Sequence, residues 1–233
     1  MPAAGTPARF AVPSTTDLTP IWHPSPNFGS RRDGLGPSLV VLHYTAMNSA
    51  QAALERLCDP EYEVSAHYLI GCGGTLWQMV REEDRAWHAG AGEWHGQTDI
   101  NSRSIGIELD NRGDHPFSEP QLATLETLMP AILSRWNIPP SGIIGHSDMA
   151  PGRKIDPGPR FPWSRLEHQA LAAQSGAGDC PQNLTQEAFR AAARAAGYTA
   201  QTDDETLLAT VRLRHRPSAT GPLHPADFAA LIP

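Results

Sequence analysis

SLVVLHYT (38–45) is a continuous apolar run that ends on a histidine, His43. A run this short and this apolar reads as a strand buried on both faces, the kind found inside sheets covered by helices. Ser49 then suits the N-cap of a short helix, AQAALERL. SAHYLIG and TLWQMV flank the turn Cys72-Gly73-Gly74 and read as a hairpin. SIGIEL (104–109) is a further strand. Ser118, with Pro120 just inside, opens a helix whose buried stripe is Leu122, Leu125, Leu128, Met129, Ile132 and Leu133. Pro130 is expected to kink or break it. GIIGH (142–146) is another short strand ending on a histidine, and a helix is expected from Ser164 to about Ala173.

Residues 1–37, rich in Pro, Gly and Ser, read as an extended arm on a main domain covering 1–173. Residues 174–183 shift to small and polar side chains and read as a linker. Residues 184–233 carry three short helical patterns. Gly197 fits a C-cap, Thr202 with Glu205 a capping box, and Pro225 the start of the last helix. A segment of about 50 residues is marginal for a core of its own, so the tail is expected to pack on the main domain.

The 233 residues are 40% hydrophobic and 18% charged, ordinary for a globular protein. A formal net charge of -7 argues against nucleic acid or an anionic membrane as the main partner. No apolar run approaches the roughly 18 residues that span a bilayer. The first residues lack the apolar core of a secretory signal, so a cytoplasmic location is expected. A chain relieved of a signal or lipid anchor would read the same way and would be periplasmic. Three cysteines at irregular spacing, without a CxxC pair, make neither a disulfide framework nor a thiolate zinc site. They read as free thiols.

His43 and His146 stand out among ten histidines because each ends a buried strand, and ligands gather at the carboxyl ends of strands in α/β sheets. Asp156, on the loop after His146, can supply a third ligand. Two histidines and one carboxylate, with a position left for water, make a catalytic zinc set. Two structural histidines and a loop aspartate would give the same pattern, and spacing alone leaves both readings open. In SIGIELDN, Glu108 lies on the face opposite Ile105, Ile107 and Leu109. A glutamate late in a buried strand is costly unless it is paired or functional. It is either a general base toward water or a rim residue paired with an arginine. GRKIDPG (152–158) is walled by Gly and Pro, which forbid a helix and pin the loop. Residues two apart in an extended loop share a side. If Asp156 held a metal, Lys154 would sit beside it, placed to stabilise an oxyanion. Its other reading is a solvated cation whose stem covers apolar surface.

The ordered blocks HPSPNFGSRR, LHYTA, VSAHYLIGCGGTLWQMV, RAWHAGAGEWHG, NSRSIGIELDN and GHSDMAPGRKIDPGPRFPW, spanning roughly 20–166, resemble the zinc-dependent N-acetylmuramoyl-L-alanine amidases of the AmpD/AmiD group. That group shares a fold with phage amidases and animal peptidoglycan recognition proteins. The resemblance implies an α/β fold with a mixed central sheet flanked by helices. It implies hydrolysis of the amide between N-acetylmuramic acid, or its 1,6-anhydro form, and the L-alanine of the stem peptide, in bacterial cell-wall turnover or recycling. It places the Zn2+ ligands on His43, His146 and Asp156, the catalytic glutamate on Glu108 and the oxyanion-stabilising lysine on Lys154. Asp148, two residues from His146, is the nearest rival ligand. His88 and Asn101 fall where the family lines its substrate groove. Trp94, in a Gly-flanked polar loop, is assigned to stacking on a sugar ring. His67 is assigned to core packing. The tail weakly resembles a small peptidoglycan-binding module, shorter and richer in alanine. The implied partners are muropeptides and anhydro-muropeptides, met by a monomer. The rival function, recognition of peptidoglycan without cutting, goes with the loss of a metal ligand in such binders, whereas every such position is filled here.

Overall fold

The computed structural model describes residues 18–176 and 184–231. The first seventeen residues of the expected arm and most of the expected linker, Cys180 included, lie outside the described residues. Cys58 and Cys72 are free thiols.

Among the described residues eight strands are formed: β1 (Ile21–Trp22), β2 (Phe28–Ser30), β3 (Leu39–Tyr44), β4 (Tyr68–Ile70), β5 (Leu76–Gln78), β6 (Asp84–Ala86), β7 (Ser104–Leu109) and β8 (Ile143–Gly145). Six make one mixed sheet in the order β1-β5-β4-β7-β3-β8, and β2 pairs with β6 apart from it. β4 and β5 are the expected hairpin, with Ile70 opposite Leu76. β4, β7, β3 and β8 all run parallel to one another. Their carboxyl ends therefore lie along one edge, where an open sheet binds its ligands.

Helices cover both faces, which is why β3 needs apolar side chains on both. Val40, Leu42, Ile105, Ile107 and Ile143 pack under helix α3 (Glu119–Trp136) through Leu122, Leu125, Met129 and Ile132. Leu69 meets helix α1 (Ala50–Cys58), whose Ser49 Oγ accepts from the Ala52 N–H at 3.2 Å as an N-cap should. α3 runs unbroken through Pro130, against expectation. Pro130 is exposed, so the carbonyl it leaves unpaired one turn back can be solvated.

Between β7 and the preceding loop lies α2 (Ile100–Arg103), and β8 runs directly into α4 (His146–Met149). His146 thus opens a short helix instead of ending a strand. Helix α5 (Trp163–His168) stops five residues before the expected end, closed by turn bonds from Gln169, Ala170 and Leu171 back to Leu166 and Glu167.

The tail forms α6 (Gln186–Ala196), α7 (Asp204–His215) and α8 (Pro225–Ala229). Gly197 caps α6 at φ +117°, as expected, and a Cβ there would lie 2.5 Å from the Trp94 ring. Asp203, not Thr202, caps α7, because its carboxylate accepts from the Thr206 N–H at 2.8 Å. The three helices do not build a core alone. Phe189, Leu207, Val211 and Phe228 share one apolar cluster with Val41, Ile144 and Met149 of the main domain.

Candidate active site

His43 and Glu108 sit side by side in register near the carboxyl ends of β3 and β7, and His146 follows β8 directly. The loop after α4 returns Asp156 to the same place, since the Ser147 N–H donates to the Asp156 carbonyl at 2.9 Å. The residues singled out from sequence therefore meet. His43, Glu108, His146, Lys154 and Asp156 line one cavity of about 570 Å³.

Within it, His43 Nδ1, His146 Nδ1 and Asp156 Oδ2 lie 2.9–3.0 Å from one another. The outer hydrogen bonds fix the tautomers. His146 Nε2 lies 2.9 Å from the Ala89 carbonyl, which only accepts, so Nε2 carries the proton and Nδ1 presents a lone pair. Ser104 donates its hydroxyl proton to the Ile100 carbonyl at 2.6 Å. Its oxygen therefore accepts from His88 Nε2, 3.2 Å away. His88 Nδ1 then accepts from His43 Nε2 at 3.0 Å, and His43 Nδ1 is left as a second lone pair. Burial and the neighbouring His146 push the His43 imidazole down to about 4, so it is neutral at pH 7. Although burial works against it, the His146 and His43 rings that face it hold the Asp156 carboxyl below the usual carboxylate range. Two lone pairs and a carboxylate thus face one point, an arrangement that a cation satisfies and that water or a proton satisfies poorly. The donor set suits a divalent ion such as zinc, and the three ligand atoms are the one such cluster found among the described residues.

Glu108 differs. Burial first, and then the charge of Asp156, push its carboxyl up to about 8, with Lys154 opposing. Its Oε2 is buried without a hydrogen-bond partner. That excludes the arginine-paired rim residue left open by sequence. Lys154 is half-buried on the cavity wall, and no carboxylate lies within ion-pairing distance of it among the described residues.

Other residues fall differently from expectation. His88 lines the cavity, but its ring nitrogens are engaged by His43 and Ser104. Gly106 is the seat for that ring, because a Cβ there would lie 2.5 Å from His88 Cγ. Asn101 does not reach the cavity. It is buried, and its Oδ1 accepts from the backbone N–H groups of His88 and Ala89 at 3.1 and 2.8 Å. It holds the loop that holds His146. Trp94 is no sugar platform in this fold. It is 5% exposed and meets Tyr198 edge to face at 5.0 Å, at the joint between main domain and tail. Asp148 is no ligand either, being bonded to the Gly145 N–H and to Arg214. His67 is structural, as expected: its Nδ1 accepts from the Gly106 N–H at 2.9 Å.

Sequence reasoning passed over Arg153 and Ser104. Arg153 donates to the Ala89 carbonyl at 2.8 Å and lies beside Lys154 in the same pinned loop, which was its only signal. Ser104 opens SIGIEL and has the polar type expected of a strand start, so nothing marked it. Trp87 lines the cavity beside His88.

Residues 33–159 match the family model described as N-acetylmuramoyl-L-alanine amidase. This chain belongs to that amidase family. Its reaction is hydrolysis of the amide between N-acetylmuramic acid and L-alanine, and its mixed sheet flanked by helices is the fold found here. The chain is similar to the N-acetylmuramoyl-L-alanine amidase AmiD of Escherichia coli, at 40% identity over 58% of this chain and 54% of the relative. The sequence match thus spans about half the length of that relative. It is also similar to the 1,6-anhydro-N-acetylmuramyl-L-alanine amidase AmpD of Haemophilus influenzae, at 35% identity over 60% of this chain and 86% of the relative. Among solved structures, AmpDh3 of Pseudomonas aeruginosa in complex with anhydromuramic pentapeptide superposes with a TM-score of 0.69 at 28% identity, covering 99% of this chain and 96% of that one. No helix among the described residues is long and apolar enough to cross a membrane.

Proposed function

We propose that this chain is a zinc-dependent amidase that releases the stem peptide from anhydro-N-acetylmuramic acid in muropeptide fragments. The observation that carries this is the convergence of His43, His146 and Asp156 beside Glu108, whose Oε2 is buried and unpartnered. Zinc held by those three side chains would supply a Lewis acid for the attacking water and for the scissile carbonyl.

The remaining steps belong to the chain itself. Glu108, in its ionised form, takes a proton from water as that water attacks the lactyl carbonyl carbon. It then returns the proton to the L-alanine nitrogen as the C–N bond breaks, leaving a carboxylate and a free amine. Lys154 stabilises the negative charge on the carbonyl oxygen. His88 and Ser104 keep the His43 lone pair aimed inward, and Ala89 does the same for His146. Fragments are favoured as substrate because the AmpD relative is named for the 1,6-anhydro sugar and the AmpDh3 structure holds an anhydromuramic pentapeptide. Action in the cytoplasm, as a monomer, belongs to the same reading, and the tail would serve as part of the catalytic unit.

Metal analysis of protein purified without added zinc, paired with mass spectrometry of a digest of anhydro-muropeptide, tests the reading. One zinc per chain and release of a peptide with a free L-alanine amine are expected. Full activity in a strong chelator would exclude the metal, and cleavage within the peptide would exclude the amide assignment.

A further inference from the structure

Among the contacts of the tail with the main domain, one lies two residues from His146. Arg214 of α7 is 8% exposed, and its Nη1 donates to Asp148 Oδ2 at 2.9 Å and to the Ile143 carbonyl at 3.1 Å. Its guanidinium lies over the Trp163 ring, 4.1 Å from the centroid. Tyr198, after α6, donates its hydroxyl to Asp148 Oδ1 at 3.2 Å. Asp148 Oδ2 also accepts from the Gly145 N–H at 2.8 Å, closing the first turn of α4.

α4 has only four residues, too few to hold its own geometry, since the cost of starting a helix exceeds what one turn returns. Its orientation depends on what grips it. Asp148 is the side chain gripped, His146 is the ligand presented, and the intervening Ser147 N–H donates to the Asp156 carbonyl. The two ligands and the tail are thus linked through consecutive residues of one turn. A docking contact alone would need only the apolar cluster shared by Phe189, Leu207, Ile144 and Met149. A buried ion pair adds little to such a joint, but it does fix a geometry.

We propose that the C-terminal helices form a buttress of the metal centre, with Arg214 and Tyr198 as positioning residues that set His146 and Asp156 through Asp148. The inference rests on His146 and Asp156 being metal ligands, as in the reading above.

The test measures zinc affinity by competition with a chromophoric chelator, together with kcat and KM on soluble anhydro-muropeptide, in the full chain. Arg214→Met keeps the apolar stem and removes the grip. Tyr198→Phe removes one hydroxyl and is the variant to rely on where Arg214→Met does not fold. Arg190→Ala, at the α6–α7 pair with Asp204 on the outer surface, is the control. Zinc affinity is expected to fall by about 10–100-fold in Arg214→Met, the range for lost outer partners of metal ligands. It should fall by less in Tyr198→Phe and not at all in Arg190→Ala. kcat should fall with affinity while KM holds. Folded Arg214→Met or Tyr198→Phe protein with wild-type zinc affinity and kcat would overturn the proposal. Wild-type protein that binds no zinc would instead overturn the metal reading beneath it.

Discussion

His43 and Glu108 are direct partners in the parallel register of β3 and β7, so their side chains leave the same face of the sheet side by side. One offers a metal a lone pair, and the other keeps an unpartnered oxygen beside it. Glu108→Gln preserves shape and removes the base. Turnover should fall on the order of 10²–10⁴-fold, with zinc content and melting temperature near wild type. Near-normal turnover in a folded variant would place the base elsewhere.

Lys154 and Asp156 share one loop, yet their substitutions should fail in different ways. Asp156→Ala deletes a carboxylate that faces both imidazoles and should release zinc. Lys154→Ala should keep zinc and slow turnover by roughly 10²–10³-fold, the scale for one lost oxyanion donor. Lys154→Arg should not restore the rate fully, because a planar fork does not replace a compact ammonium. Zinc content and kcat in all three separate the roles. Zinc lost from Lys154→Ala and retained in Asp156→Ala would reverse the assignment.

How much of this was legible in the sequence depended on the range of the contacts. β3 and β7 are apolar runs, so their buried position and the inward turn of His43 and Glu108 follow from a few consecutive residues. The pinned loop announced Lys154 and Asp156 in the same way. Trp94 and Asn101 did not, because their partners lie elsewhere: Tyr198 for one, the backbone of His88 and Ala89 for the other. A Trp between glycines looks exposed until a distant helix is laid over it. The grip of Arg214 on Asp148 spans 66 residues and left no local trace. Pro130 misled because the cost of a helical proline depends on whether water reaches the freed carbonyl, which periodicity does not reveal.

The chain Ile100–Ser104–His88–His43 should be as sensitive as the ligands it orients. Ser104→Ala removes the oxygen that accepts from His88 Nε2, so His88 no longer has a reason to present Nδ1 to His43. Gly106→Ala places a Cβ 2.5 Å from His88 Cγ and must displace the ring. Both should weaken zinc binding by about 10–100-fold without touching a ligand. Chelator competition measures this directly. Wild-type affinity in Ser104→Ala would show that His43 needs no such relay.

Acid should loosen the joint between tail and main domain before it reaches the carboxylates. His215 lies within 2.9 Å of Ser175 Oγ and 3.2 Å of the Tyr198 hydroxyl, with Glu167 beyond Ser175 and Arg214 beside it. Burial first, and then the charge of Arg214, push its imidazole down to about 3. The unfolded chain takes up this proton near pH 6.5, and the folded one does not until about pH 3. Between those values the unfolded state binds more protons, so stability rises with pH and is lost as pH falls below about 6.5. His67, pushed down to about 3 by burial and Arg31, adds a slope of the same sign. Comparing His215→Gln with wild type removes that shared part. Urea midpoints measured from pH 7.5 to 5 should fall more steeply in wild type, by a difference of order 1–2 kcal/mol at the acid end. Parallel slopes in the two proteins would mean that His215 is not held neutral by the joint.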